Sequence, residues 1–224
     1  RLFSIETGRY AKQANGSVMV RYGDTMVLVT AVASAESKPD QDFFPLQVEY
    51  REKTSAAGKF PGGYIKREGR PSEKEILSAR LCDRPIRPLF PEAFLNETQI
   101  IAMVFSYDGE NDPDVLAACG ASAALVVSDI PFDGPMGEVR IGRMGDEFVV
   151  NPTQEQIKLS DIELVVAGTA DSIMMVEGES KEVSEQDLLD DLKFAQAEIK
   201  KIVELQNQLR SEAGKTKWVV EEQA

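Results

Sequence analysis

The sequence predicts a mixed α/β fold, of the α+β kind, in two packed parts. Strand-like runs of alternating or continuous apolar residues are interleaved with helix-like segments whose apolar residues lie three or four apart. The segment 130–135 (IPFDGP) is rich in turn-forming residues and separates two such sets of elements. A hydrophobic content of 42% in 224 residues is enough for a sizeable core. We predict a first part over residues 1–130, a second over 131–212, and a final segment, 213–224, that leads onward.

Strands dominate the first fifty residues. Leu2–Ile5 is a short strand, and Ser17–Tyr22 and Thr25–Ala33 form a hairpin through Gly23-Asp24. Because Thr25–Ala33 is apolar throughout, we expect a central strand that is covered on both faces. Leu46–Arg51 alternates in polarity and predicts one more strand.

A helix is expected after the fourth strand. Ser72, followed three residues later by Glu75, is a capping-box pattern and marks the helix start. Pro85 and Pro88 disfavour helical conformation at the residues before them, so the helix should end near Asp83.

The remaining elements follow from similar patterns. Gly120 lies in a helix of small residues, which indicates close packing on a sheet, and Ser184 can cap the last helix. The predicted elements are a strand at Thr98–Tyr107, a helix at Asp114–Ser128, a hairpin of Glu138–Arg143 and Glu147–Val150 turning at Met144-Gly145-Asp146, a strand pair at Ile162–Gly168 and Ser172–Glu177, and a long helix over 184–210.

Composition excludes several classes of function. The chain has no histidine, which removes Ser-His-Asp and Cys-His catalysis and histidine-ligated zinc. Cys82 and Cys119 lie in apolar surroundings without metal-type spacing, so we expect buried free thiols. No run approaches the ~20 apolar residues that span a bilayer, and no signal peptide opens the sequence. We therefore expect a cytoplasmic protein with no membrane partner.

One basic stretch stands out in an acidic chain. The net charge is −13, yet the stretch from Arg51 to Pro88 holds ten Lys and Arg against five Asp and Glu. Arginines around a Gly/Pro-rich loop suit phosphate recognition, because guanidinium groups make paired hydrogen bonds to phosphate oxygens. This predicts a polyphosphate-binding rim for single-stranded nucleic acid. The alternative is a solvated face on which these arginines pair with the neighbouring acids Glu68, Glu73, Glu75 and Asp83.

Several motifs make the sequence similar to a known family. They are QDFFPLQVEYREKTSAAGKFPGGYIKREGRPSE, ARLCDRPIRPLFPE, GASAALVVSDIPFDGPMGEVRIG, NPTQEQ and ELVVAGT, and they span nearly the whole chain. On these motifs the chain resembles the first ribonuclease PH-like core domain of bacterial polynucleotide phosphorylases. The resemblance implies the β-α-β-α fold of ribosomal protein S5 domain 2, a homotrimeric ring, and a following helical domain and second core.

The resemblance also implies an activity. Family members degrade single-stranded RNA, mRNA included, from its 3′ end: inorganic phosphate, as co-substrate, attacks the terminal phosphodiester and releases a nucleoside diphosphate. Magnesium held by carboxylates assists this step. Other RNA-degradation proteins are further partners that the resemblance suggests.

The chain departs from the family at the catalytic positions. Two aspartates of active members correspond here to Ile157 and Glu163, and a lysine corresponds to Val165. The serine-rich phosphate loop corresponds to residues 111–114, which carry two aspartates. We therefore expect no catalytic residue and no metal ligand in this domain, and assign magnesium to the second core of the full-length enzyme.

The basic stretch keeps the residues that the resemblance assigns to RNA. The family has a Phe-Phe-Arg-Arg loop that grips RNA where this chain has Tyr64-Ile65-Lys66-Arg67, so one aromatic ring is lost. The predicted RNA-binding residues are Tyr64, Lys66, Arg67, Arg70, Arg80, Arg84 and Arg87.

Three functional hypotheses remain open from the sequence. The first is a catalytically degenerate core that binds RNA at a channel entrance and builds the ring. The second is a structural scaffold of an exosome-like ring without RNA binding of its own. The third is a self-sufficient phosphorolytic enzyme with an unrecognised site.

Overall fold

The structure, a computed structural model, describes residues 1–145 and 147–220. The predicted turn residue Asp146 and the end of the predicted final segment, 221–224, lie outside the described residues. The elements are β1 (Phe3–Thr7), β2 (Gly16–Tyr22), β3 (Thr25–Ala33), β4 (Leu46–Glu52), α1 (Glu73–Ile86), β5 (Thr98–Ser106), α2 (Pro113–Val127), β6 (Gly137–Met144), β7 (Glu147–Val150), α3 (Gln154–Leu159), β8 (Ile162–Gly168), β9 (Ile173–Ser180) and α4 (Glu185–Ala213).

These elements form two sheets, which confirms the mixed α/β class. The five-stranded sheet has the order β1-β2-β3-β5-β4, and all its neighbours are antiparallel except β4 and β5. The four-stranded sheet has the order β7-β6-β8-β9 and is antiparallel throughout. Helix α2 lies between the layers and packs on β2, β3, β6, α1 and α4. The predicted boundary at residue 130/131 stays a prediction, although the two sheets draw on residues 3–106 and 137–180 respectively.

Strand β3 is central, but only one of its faces is fully buried. Val27 and Val29 are 0% exposed, whereas Met26 and Leu28 on the other face are partly exposed. The expectation of cover on both faces is therefore wrong. The physical reason is that α2 packs on one side of this sheet only.

Helix α1 begins as predicted and ends later than predicted. Ser72 and Glu75 form the full capping box. The helix runs past Asp83 to Ile86 with Pro85 inside its last turn. Burial of Pro85 and Ile86 against the core outweighs the steric and hydrogen-bond cost of a proline in the last helical turn.

A short helix was missed between β7 and β8. Thr153 and Gln156 form a capping box that starts α3, which is six residues long. A helix of this length shows too few apolar residues for its periodicity to be visible in the sequence.

Small residues let α2 pack closely on the first sheet. All fifteen residues of this helix are buried. A Cβ atom at Gly120 would lie 2.6 Å from Cγ2 of Val29 and 2.9 Å from Cγ2 of Val20, so the predicted close packing is present. Cys82 and Cys119 are both buried and free, as expected.

None of the helices within residues 1–145 and 147–220 has the length and hydrophobicity needed to cross a membrane.

We predict that Gly120→Ala lowers the free energy of unfolding by about 1–2 kcal/mol. The methyl group would overlap branched valine side chains, and this cost exceeds the gain of about 1 kcal/mol in helix propensity. Urea unfolding of Gly120→Ala, Val29→Ala and the double variant checks this. The double variant should lose less unfolding free energy than the sum of the losses in the two single variants, because the valine that the new methyl group overlaps is gone. A loss equal to that sum would contradict the proposed contact.

Candidate nucleic-acid interface

A loop of cationic and aromatic residues, 53–72, joins β4 to α1; we call it the basic loop. Its base is fixed, since Glu68 accepts hydrogen bonds from the backbone N–H of Thr54 at 3.0 Å and from its hydroxyl at 2.9 Å. Its tip projects into solvent. Phe60 is 90% exposed and Tyr64 is fully exposed, and Lys66 has a left-handed backbone with φ of 54°.

Four of the predicted RNA-binding cations have no partner among the described residues. Lys66, Arg67 and Arg70 on the loop and Arg80 on α1 are exposed. Within the described part of the chain, none of the four forms an ion pair or a side-chain hydrogen bond.

Two of the neighbouring acids, Glu68 and Glu75, are engaged elsewhere. Glu68 binds Thr54, while Glu75 accepts from the backbone N–H groups of Ser72 at 2.6 Å and Glu52 at 3.0 Å. Burial raises the pKa of Glu75, but hydrogen bonds from the N–H groups of Ser72 and Glu52 lower it by more. The pKa of Glu75 therefore lies below its usual range. These acids serve as backbone caps and leave the loop cations uncompensated.

Two of the predicted RNA-binding arginines do have internal partners. Arg84 pairs with Glu177 of β9. Arg87 donates to Asp83 at 2.8 and 3.2 Å and to the carbonyl of Leu46 at 3.1 Å. These contacts match the alternative in which helix arginines pair within the chain, and the role of both residues in RNA binding stays a prediction.

The three degenerate positions do not form a metal site. Ile157 lies half-buried on α3, and Val165 is 5% exposed within the hydrophobic core of the first sheet. Glu163 on β8 is hydrogen-bonded to Arg140. An apolar side chain, a buried valine and a carboxylate already neutralised by arginine do not fit a magnesium ion.

A partly buried ion cluster occupies this region instead. Arg140 on β6 lies 2.5 Å from Asp114 of α2 and also pairs with Glu163. Lys74 of α1 contacts Asp112 and Glu52, each at 3.0 Å. Asp112 and Asp114 lie in the segment that the sequence predicts to correspond to the phosphate loop. The part played by Arg140 and Lys74 was not predicted from the sequence.

Burial raises the pKa values of two acids in this region. It raises the pKa of Asp114 above its usual range, and this effect exceeds the opposing effect of Arg140. Glu138, two residues before Arg140, is 1% exposed, and neither of its carboxylate oxygens has a hydrogen-bond partner. Burial raises the pKa of Glu138 well above that of an ordinary glutamate. Arg140 is the cation that stabilises this group of acids.

Two backbone N–H groups shortly before α2 are also occupied. Asp108 accepts hydrogen bonds from the N–H groups of Glu110 and Asn111, both at 2.9 Å. Burial raises the pKa of Asp108, but the Asn111 and Glu110 N–H groups lower it well below the usual range. The segment that corresponds to the family's phosphate loop therefore binds a carboxylate of its own chain.

Comparison with known proteins shows which family the chain belongs to. The model of the 3′ exoribonuclease family, domain 1, matches residues 1–131, and that of domain 2 of the same family matches residues 134–198. The chain belongs to the 3′ exoribonuclease family.

Curated members of the 3′ exoribonuclease family are similar along almost the whole chain. The polyribonucleotide nucleotidyltransferases of Chlorobaculum parvum and Persephonella marina are each 58% identical over 218 residues, or 97% of this chain. The match covers 30% and 31% of those proteins. The resemblance to polynucleotide phosphorylases is confirmed, and the chain spans about a third of the length of these relatives.

Solved structures share the fold at low sequence identity. A chain of the Archaeoglobus fulgidus exosome with RNA bound to the active site superposes with a TM-score of 0.69 at 20% identity, covering 95% of this chain and 88% of that one. Rice Rrp46 superposes with a TM-score of 0.72 at 15% identity, covering 94% and 95%. These neighbours confirm the ribonuclease PH-like fold.

We predict that Arg140→Met destabilises the domain in a pH-dependent way. Removing the guanidinium leaves Asp114 and Glu163 without their cation, which costs about 3–5 kcal/mol near pH 8. Buried carboxylates with raised pKa values take up protons as the pH falls, so the loss should shrink at pH 5.

Urea unfolding at both pH values checks this expectation. The variant that also carries Asp114→Asn should recover part of the stability at pH 8. An equal loss at pH 5 and pH 8 would show that Arg140 acts through packing rather than through charge.

Proposed function

We propose that this chain is the catalytically degenerate core of a longer 3′-to-5′ phosphorolytic exoribonuclease. Its role is to bind single-stranded RNA at the entrance of a channel and to build a homotrimeric ring in the cytoplasm. The observation that carries the proposal is the set of unpaired cations Lys66, Arg67, Arg70 and Arg80 next to the exposed ring of Tyr64.

The basic loop fits RNA for two physical reasons. Cations without internal partners lose no ion pair when they bind phosphate, and they release counterions from the nucleic acid. An exposed tyrosine offers a stacking surface to any base. Because phosphate contacts carry no base information, we expect binding to tolerate different RNA sequences. The exosome structure with RNA at its active site supports RNA as the ligand.

The proposed lack of catalysis follows from the ion cluster. Phosphorolysis requires a site for inorganic phosphate and a magnesium ion next to the scissile phosphodiester. Asp108 accepts hydrogen bonds from the backbone N–H groups of Glu110 and Asn111, and Arg140 pairs with Asp114 and Glu163. We therefore assign phosphate and magnesium to the second core of the full-length protein.

The scaffold hypothesis is favoured by the internal pairs of Arg84 and Arg87. These two side chains hold α1 against β9 and β4, which is a structural role that needs no RNA. The basic loop distinguishes the two hypotheses, because a scaffold gains nothing from exposed, unpaired cations.

We predict that the triple variant Lys66→Glu, Arg67→Glu and Arg70→Glu reduces RNA affinity at least about tenfold. Its affinity should also depend less steeply on salt concentration, because each lost contact with a single-strand phosphate removes the release of about 0.7 ions. Fluorescence anisotropy with a labelled oligoribonucleotide at several salt concentrations measures both quantities. The matched control changes the exposed Lys12, Lys158 and Lys200 to Glu, which alters the net charge equally. Equal losses in both variants, or no loss in either, would favour the scaffold.

We predict that this chain alone releases no nucleoside diphosphate from RNA. Chromatography after incubation with RNA, inorganic phosphate and magnesium checks this, with a full-length polyribonucleotide nucleotidyltransferase as the positive control. Steady release that persists in an Arg140→Met variant would reveal a self-sufficient active site elsewhere in the chain.

A further inference from the structure

Strand β4 borders a groove whose role is not explained by the ion cluster or by the basic loop. It is an edge strand that pairs only with β5. Helix α1 runs beside it and leaves an open groove of about 360 Å³, whose lining includes Val48, Tyr50, Ile76, Ala79 and Arg80. We call this the β4–α1 groove.

Helix α1 binds the two ends of the free edge of β4 and leaves its middle open. Arg87 donates to the carbonyl of Leu46 at 3.1 Å, and Glu75 accepts from the N–H of Glu52 at 3.0 Å. Backbone groups alternate in direction along a strand, so the N–H and C=O groups of Val48 and Tyr50 point to this same side. Within the described residues, these four groups have no hydrogen-bond partner.

The walls of the groove suit an extended peptide. Ile76 is 52% exposed although it is a large aliphatic residue, and Ala79 lies one helical turn further on the same face. An apolar side chain seated here would remove that surface from water. An exposed strand edge next to an apolar helix face is the arrangement that accepts an added strand.

Charge favours a carboxylate as the polar part of that peptide. Arg80 lines the groove and has no acidic partner among the described residues. The three acids of the groove are engaged: Glu75 with backbone N–H groups, Asp83 with Arg87, and Glu49 with Gln47 and Arg51. A phosphodiester strand has no alternating N–H and C=O groups and could not pair in register with the backbone of β4. A peptide is therefore favoured over RNA.

We propose that the β4–α1 groove binds an extended polypeptide segment by strand addition. The segment pairs with the backbone of Val48 and Tyr50, places an apolar side chain against Ile76, and directs a carboxylate to Arg80. The backbone groups of Val48 and Tyr50 are not used by the basic loop, whereas Arg80 is shared with the proposed RNA-binding cations, so we expect RNA and the peptide to compete only for Arg80.

The test uses the 224-residue chain and a fluorescein-labelled peptide of about six alternating valine and glutamate residues. Anisotropy measures binding, and NMR hydrogen exchange follows the amides of Val48 and Tyr50, which should become protected. Val48→Pro removes an N–H that faces away from β5 and replaces a partly buried side chain, and prolines are tolerated at such edge positions. We expect about tenfold weaker binding from this lost hydrogen bond, while Val48→Thr should bind within about twofold of the unmodified chain.

Two further measurements keep the test decisive. Ile76→Ser changes an exposed position that cannot disturb the core, and should weaken binding about fivefold. An oligoribonucleotide serves as the competing ligand. The proposal is overturned if the peptide does not bind at millimolar concentration, if it binds Val48→Pro and the unmodified chain equally, or if RNA rather than the peptide protects Val48 and Tyr50.

Discussion

The fold depends on the complete burial of α2 between the two sheets. Every residue of this helix is buried, so only small side chains allow the layers to approach, and Gly120 lies against the methyl groups of Val20 and Val29. Such burial requires that each polar group on the helix find a partner. Ser122 meets this requirement: its hydroxyl hydrogen-bonds to Gln206 of α4 at 2.7 Å and accepts from the N–H of Met136 at 2.9 Å. One helix thus joins both sheets and α4 into a common core.

The distribution of charge follows from where carboxylates find N–H donors. Around the basic loop, Glu68 and Glu75 bind backbone N–H groups and so do not neutralise the nearby cations. At the start of α2, Asp108 binds backbone N–H groups in the same way, while Asp114 is buried against Arg140. Hydrogen bonds from backbone N–H groups to carboxylates thus leave the surface of the basic loop cationic. At the start of α2, the same kind of hydrogen bond places carboxylates of the chain itself where the phosphate loop was expected.

Local signals in the sequence were sufficient for most elements and for the basic loop. The capping box of Ser72 and the small residues around Gly120 act within a few positions of the chain, so they could be read directly. The helix end at Pro85 was misjudged because tertiary burial overrode a local preference. The ion cluster could not be foreseen, since it joins residues from separate elements that meet only after folding. Arg84 shows the same limit, because Glu177 lies 93 positions away.

The position of Val165 limits which side chains this part of the domain can hold. With 5% of its surface exposed, it belongs to the core, and a lysine there would bury an ammonium group among aliphatic side chains. Ile157 and Glu163 line one surface pocket, so an aspartate at position 157 would add a second carboxylate to it, while Arg140, the described cationic partner of Glu163, already serves Asp114. Each of these two replacements would therefore carry an electrostatic cost unless the residues around it changed as well.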